Sequence, residues 1–244
     1  QGGSRAVPRG LIVTIPQTGS TSADLSARLR SGELVREGEW LVADRQTAGR
    51  GRQGRDWLDG LGNFMGSTVF HPGPGDPPAH SLALMAGLAV QSCVAECLPG
   101  ETVPLLKWPN DLMIGSAKLA GILLEREGEA VVVGIGVNLA SAPKLPDRET
   151  AALADFAPPP ARDAFATRLA EVFALELQRW RANGLDPLIR RWLAVAHPVG
   201  TPLAVSGEAR LSGRFAGLDA TGALQLRLAD GTTQTINAGE VTFA

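Results

Sequence analysis

Twenty arginines but only three lysines carry the positive charge of this 244-residue chain, and two of the lysines, Lys107 and Lys118, fall eleven residues apart in KWPNDLMIGSAKLAGILLE. A chain that otherwise relies on arginine keeps a lysine where a compact point charge serves better than a planar fork. Upstream, TAGRGRQGRDW (47–57) interleaves glycines with Arg50, Arg52 and Arg55. Glycines let the backbone approach a ligand closely, and the guanidinium groups can neutralise phosphate or carboxylate. Downstream lies GIGVNL (134–139), a strand-like run whose glycines mark the close approach of another backbone or a ligand. Together these segments point to the handling of a phosphate-bearing substrate. The loop is not a P-loop, because no GK[ST] follows and the next residues read as a strand instead of a helix; a dinucleotide fingerprint fails for the same reason.

Other residues in these segments allow two readings each. Trp57 can pack on a base or belong to the core. Asn110 and Asp111 follow a strand-breaking proline, which leaves Asp111 as an acceptor for Mg²⁺ or a lysine, or as part of a plain turn. Asn138 can read an adenine edge or a ribose, or tie down the end of its strand. His71, His80 and His197 are dispersed and form no metal-binding pattern. No GxSxG elbow occurs, and Cys93 and Cys97 have no histidine nearby in sequence, so covalent catalysis is poorly supported. Positioning and charge neutralisation remain.

The elements that must place these residues follow from periodicity and punctuation. Residues 11–15 and 39–44 read as strands on either side of a capped helix that closes at Gly32. The glycine–arginine loop then joins the second strand to a third at 62–70. A proline-rich connector leads to a helix from Ser81 to Leu98, and VPLLK, LMI, KLAGILLE and AVVVGIGVNL read as four successive strands. The short break at 115–117 predicts a tight hairpin that holds Lys118 near the WPND turn. A helix over Arg162–Asn183 ends at Gly184, and Asp186 with Pro187 opens another as cap and first turn. From Gly200 onward only short alternating runs occur, which predict a small antiparallel barrel.

With 44% hydrophobic and 20% charged residues and a net charge of -2, the chain reads as globular, with one sizeable core and a small second domain. This balance argues against nucleic-acid binding through the whole surface. No uninterrupted apolar run is long enough to span a membrane. Cys93 and Cys97, four apart on a predicted helix, form neither a disulfide framework nor a zinc site, and fit a reducing, cytoplasmic setting. The first residues, QGGSRAVPRG, read as a processing remnant.

Taken in order, GSTS (19–22), QTAGRGRQGRDW (46–57), KWPNDL (107–112), KLAGILLE (118–125), GIGVNL (134–139) and a terminal GRFAGLDATGAL with AGEV resemble biotin protein ligase, also called biotin-[acetyl-CoA-carboxylase] ligase. The resemblance implies an α+β fold: a class II synthetase-like catalytic domain (1–198), a mixed sheet flanked by helices, followed by an SH3-like barrel (199–244). It implies ATP-dependent activation of biotin as biotinyl-5'-AMP and transfer to a lysine of a biotin carboxyl carrier protein or domain, with Mg²⁺ as cofactor. Ser20, Thr21 and Gln46 would hold the ureido ring, and Gly121 would leave room for the valeryl chain. Lys118 would contact both the biotin carboxylate and the α-phosphate, and Arg50, Arg52 and Arg55 would hold carboxylate and phosphate oxygens. Trp57 and Asn138 would face the adenine, Lys107 and Asn110 would support the nucleotide side, and Asp111 would serve Mg²⁺ or the acceptor amine. Family members commonly carry Asn where this chain has Ser22, and an aromatic near Phe64–Met65, where this chain has no tyrosine anywhere. Repressor members precede the Ser-Thr motif with a helix-turn-helix domain, and here about nineteen residues do so, which implies a form without DNA binding, a monomer or homodimer. A lipoate or octanoate ligase and a noncatalytic biotin sensor are the rival readings.

Overall fold

The structure, a computed structural model, describes residues 11–206 and 210–243. The reading of the first ten residues as a remnant falls outside the described residues. The chain begins with β1 (Ile12–Thr18), α1 (Thr21–Arg30) and β2 (Trp40–Gln46). Ser20 caps α1, its side chain accepting from Ala23 N–H, which satisfies one of the free donors at the helix start. Because α1 carries the chain back across the sheet, β1 and β2 pair in parallel. Every other pairing in this sheet is antiparallel: β3 (Phe64–Phe70), β4 (Leu105–Lys107), β5 (Asp111–Ile114), β6 (Ala117–Glu127) and β7 (Ala130–Val137). The order is β1-β2-β3-β7-β6-β5-β4.

Alternation along the strands sorts residues between the two faces. Leu41, Val69 and Val132 pack against Leu25 of α1 on one side. On the other, Trp40, Val42, Phe64, Phe70, Val133 and Ile135 meet α2 (Leu82–Ala95) and α3 (Arg162–Asn183) in the main core. The same alternation explains GIGV: Ile135 and Val137 point into the core, so Gly134 and Gly136 lie on the α1 face, where the candidate site is.

After α4 (Leu185–Ala194), residues near the chain's exit still pair with β4: Leu106 N–H donates to Val195 O and His197 N–H to Leu106 O. A second sheet follows, made of β8 (Pro202–Ser206), β9 (Leu211–Leu218), β10 (Leu224–Arg227), β11 (Thr233–Ile236) and β12 (Glu240–Phe243). Its order is β11-β10-β9-β8-β12, antiparallel throughout. Leu203, Phe215, Leu224 and Val241 of this unit join the same apolar cluster as Leu106, Trp108 and Trp192. The α+β layout with a C-terminal antiparallel unit agrees with the expectation.

Several boundaries differ from it. Only Leu105–Lys107 of VPLLK is strand, and the helix expected over 81–98 is regular only over Leu82–Ala95. Asp186 does not cap α4. Gly184, at φ 72, ends α3 and also stands at the start of α4, so Asp186 and Pro187 fall in the first turn. The cysteines are free, with Cys93 buried and its thiol pushed up to about 12 by that burial. Among the described residues no helix is long and apolar enough to cross a membrane.

Candidate active site

One cleft opens on the α1 face, between the start of α1, the 47–57 loop, β6, β7 and the segment 143–150. Its deep end is polar. Thr21 donates from both its backbone N–H and Oγ1 to Gln46 Oε1, at 2.8 and 3.0 Å. Thr21 Oγ1 and Ser22 Oγ lie 2.7 and 2.9 Å from Ser67 Oγ. Ser20, Thr21, Ser22, Gln46 and Ser67 are all buried. With Gln46 Oε1 committed to Thr21, its amide NH₂ is left to donate into the cleft. The shorter Ser22, at the position where the family commonly has Asn, sits so close that a Cβ on Gly134 would come within 2.5 Å of its Oγ. Ser67 was not among the residues expected from sequence. Its signal is a serine–threonine pair interrupting an otherwise apolar strand.

The other end is cationic. Lys118 Nζ lies 2.6 Å from Asp111 Oδ1, and Lys107 Nζ lies 3.3 Å from Asp111 Oδ2, so two ammonium groups share one carboxylate. The expected β5–β6 hairpin makes this possible, but only with an irregularity. Met113 pairs with Lys118 and Leu112 with Ala120, leaving Leu119 as an extra residue in a bulge. On a regular strand, residues 118 and 121 would face opposite sides. The bulge brings them together, and a Cβ on Gly121 would lie 3.1 Å from Lys118 Nζ. Burial alone would raise the Asp111 pKa, yet Lys118 and Lys107 outweigh it and hold the carboxyl below its ordinary value. Lys107 is lowered, first by burial, which Asp111 only partly offsets, and further by the like charges of Lys118 and Arg148.

This arrangement bears on the expected metal role of Asp111. Both its oxygens face ammonium groups, and among the described residues no three His, Cys, Asp or Glu side chains converge as a metal site. The residues do not fit a resident metal ion; Asp111 instead sets the spacing of two lysines.

The glycine–arginine loop folds back on itself. Gly51 N–H donates to Arg55 O at 2.7 Å, Trp57 N–H to Gly49 O at 2.9 Å, and Gln53 takes the left-handed conformation at φ 57. Its arginines diverge. Arg50 reaches Glu125, 3.2 Å away on β6, whereas Arg52 donates to Asn110 Oδ1 and Gly239 O, both at 3.3 Å, and Arg55 pairs with Glu240. Two of the three thus bridge to the edge of the second sheet. Burial lowers the Arg52 pKa, partly offset by Asp111. The indole of Trp57 lies on the cross-strand pair Gly121 and Gly136: a Cβ on Gly136 would meet the ring at 2.3 Å, and one on Gly121 at 3.2 Å. The space left by Gly121 is therefore shared by Trp57 and Lys118, whose Nζ is 5.8 Å from the indole centroid.

Of the two readings that its sequence context allowed, Asn138 shows the strand-end tie. Its Nδ2 donates to Ala151 O at 3.1 Å, tying the strand end, while its buried Oδ1 has no partner and remains an acceptor in the cleft wall. The structure thus gathers every expected site residue around the cleft except Lys107, which lines no part of it and joins through Asp111. It adds Ser67, Arg148, Glu240 and Val241, which isolated motifs did not reveal.

A profile described as the biotin/lipoate A/B protein ligase family matches residues 15–139, and one described as the biotin protein ligase C-terminal domain matches 205–243. The chain belongs to the biotin/lipoate A/B protein ligase family. Among its relatives in this ligase family, the biotin--[acetyl-CoA-carboxylase] ligase of Paracoccus denitrificans is 38% identical, covering 94% of this chain and 99% of its own length. The enzyme of the same name from Mycobacterium tuberculosis is 36% identical over 93% of this chain and 86% of its own. The biotin protein ligase from Aquifex aeolicus, solved in complex with biotin and ATP, matches with a TM-score of 0.84 at 25% identity, covering 96% of this chain and 98% of that one.

Proposed function

We propose that this protein is an ATP-dependent ligase that activates biotin as biotinyl-5'-AMP and transfers it to a lysine of a biotin carboxyl carrier protein or domain. The observation that carries this reading is the two-ended cleft, with a buried polar cluster at one end and cations at the other, in a chain that matches biotin protein ligases over nearly its whole length. The residues up to 198 form the catalytic body, and 199–244 the C-terminal unit.

The buried cluster of Ser20, Thr21, Gln46 and Ser67 receives the ureido ring, whose polar edge is costly to bury without partners. The apolar chain runs along the Trp57 indole toward Lys118. Bringing a carboxylate to a polyphosphate opposes like charges, and at about 4 Å with an effective dielectric near 20 each such pair costs about 4 kcal/mol. Lys118 offsets this cost, and Arg52 offsets more of it from the loop. Lys118 also meets the charge that grows on the α-phosphate as the carboxylate oxygen attacks. Asn138 Oδ1, without a partner among the described residues, accepts from the adenine amine. Mg²⁺ enters with ATP as part of the substrate. The loop, closed by Arg52 and Arg55, shields the mixed anhydride from water until the acceptor amine arrives.

Biotin-dependent exchange of pyrophosphate into ATP tests the first half of this reading. Exchange with biotin and none with lipoate is expected. Exchange with lipoate alone would assign the chain to the other branch of its family, and no exchange despite biotin binding would make it a sensor.

A further inference from the structure

The segment from Pro143 to Thr150 carries none of the motifs, yet Pro143, Leu145, Arg148 and Thr150 form one wall of the cleft. It is fastened directly to the strand that bears Lys118. Lys118 N–H donates to Glu149 O at 2.9 Å, Ala151 N–H donates to Lys118 O at 3.0 Å, and Lys118 and Thr150 form a parallel bridge. Thr150 Oγ1 in turn donates to Pro143 O, which closes the segment on itself. Arg148 is thus held next to a residue, Glu149, that makes a backbone contact with the central lysine.

The Arg148 guanidinium is under-used. Among the described residues its buried Nε has no hydrogen-bond partner, and its one ion pair, at 3.4 Å, is with the adjacent Asp147, whose side chain is 60% exposed. An exposed pair of that kind contributes little, whereas an unpaired buried donor calls for an acceptor. Its charge is felt at Lys107, whose hold on a proton it weakens. Arg52, Lys118 and Arg148 line the cleft, with Lys107 behind Asp111, the carboxylate that both lysines share. The surplus of positive charge fits a ligand with several negative charges.

We propose that Arg148 binds the outer phosphates of ATP and holds the pyrophosphate as it leaves. The inference rests on reading the cleft as an adenylating site. In that reaction a biotin carboxylate oxygen bonds to the α-phosphorus, the bond from that phosphorus to the bridging oxygen breaks, and pyrophosphate departs with the electron pair. The α-phosphate remains in the adenylate and already has Lys118 and Arg52. Arg148 is carried by neither the glycine–arginine loop nor β6, and a separate cation suits the phosphates that depart.

The test compares two half-reactions in the full chain bearing Arg148→Met. Biotin-dependent ATP–pyrophosphate exchange should lose roughly ten- to a hundredfold in kcat/KM for ATP, the scale of one charge-assisted contact, with KM for biotin within about twofold. Transfer from preformed biotinyl-5'-AMP to an acceptor domain should stay within about twofold, since the adenylate lacks the outer phosphates, and this also shows that the variant is folded. Arg148→Lys should restore part of the loss. Unchanged exchange would overturn the proposal, and so would an equal fall in both half-reactions, which would make Arg148 a support for Lys118. Absence of exchange in the unsubstituted protein would instead defeat the adenylation reading, and this inference with it.

Discussion

Lys118 stands against Asp111, Gly121 and Trp57, at the point where the polar and cationic ends of the cleft meet. Lys118→Ala should lower biotin-dependent pyrophosphate exchange by roughly 10² to 10⁴, the scale of one strong transition-state contact, while thermal unfolding stays cooperative. Near-normal exchange would remove Lys118 from its assigned role. Gly136→Ala is a second test at this scale. The new methyl would overlap the Trp57 indole at 2.3 Å, and the ring rests against sheet and cannot retreat downward. The indole should be displaced outward, seen as a shift in tryptophan emission together with a rise of at least about tenfold in KM for biotin; an unchanged KM would show that the indole is no part of the biotin path. Residue types were legible in the sequence because lysines are scarce and glycines and arginines cluster. What joins them was not: the bulge at Leu119 turns Lys118 to the side of Gly121, and nothing in KLAGILLE marks where a strand takes an extra residue. Asp111 was legible as an acidic acceptor, but its commitment to two ammonium groups depends on the hairpin that folds it onto Lys118.

At the level of elements, the glycine–arginine loop is held from outside the catalytic sheet by the start of β12. Arg55 pairs with Glu240, and Arg52 reaches Gly239 O. Glu240→Gln should weaken this clamp without touching the core, since the Glu240–Arg55 pair is about a third exposed on each side. Amide hydrogen exchange over residues 50–56 should then speed up relative to the unsubstituted chain while β3 and β7 keep their protection. Equal protection of the loop in both would show that its own turn, closed by the Gly51–Arg55 and Trp57–Gly49 hydrogen bonds, is sufficient. Strands and helices were mostly legible from alternation and caps. The misses came where one residue serves two elements, as Gly184 does between α3 and α4, or where a polar strand residue such as Ser67 is satisfied only by side chains from distant segments. Periodicity says which way Ser67 points, not that Thr21 and Ser22 await it.

On the scale of the whole molecule, the second sheet shares its core with the first, and His197 stands at the seam. Its ring meets Phe243 edge-on with centroids 4.5 Å apart, and its buried Nε2 has no partner among the described residues. Burial, helped by the nearby Lys107 charge, lowers its pKa from 6.5 to about 4. The unfolded chain therefore takes up this proton first as pH falls. The stability associated with neutral His197 is fully present above about 6.5 and is lost progressively as pH falls to about 4. Denaturant unfolding across that range should show this slope, and His197→Phe should flatten it; an equal slope in the variant would assign the acid sensitivity elsewhere. Composition indicated a large core with a small second unit, but alternation cannot reveal that Leu203 and Phe215 face Trp192 and not a core of their own. The molecule's output is read from the intact mass of a biotin-acceptor domain after incubation with this protein, Mg²⁺, ATP and biotin. The acceptor should gain one biotinyl group, dependent on ATP and absent with lipoate. An acceptor of unchanged mass, with the protein folded and pyrophosphate exchange active, would contradict transfer to a carrier lysine.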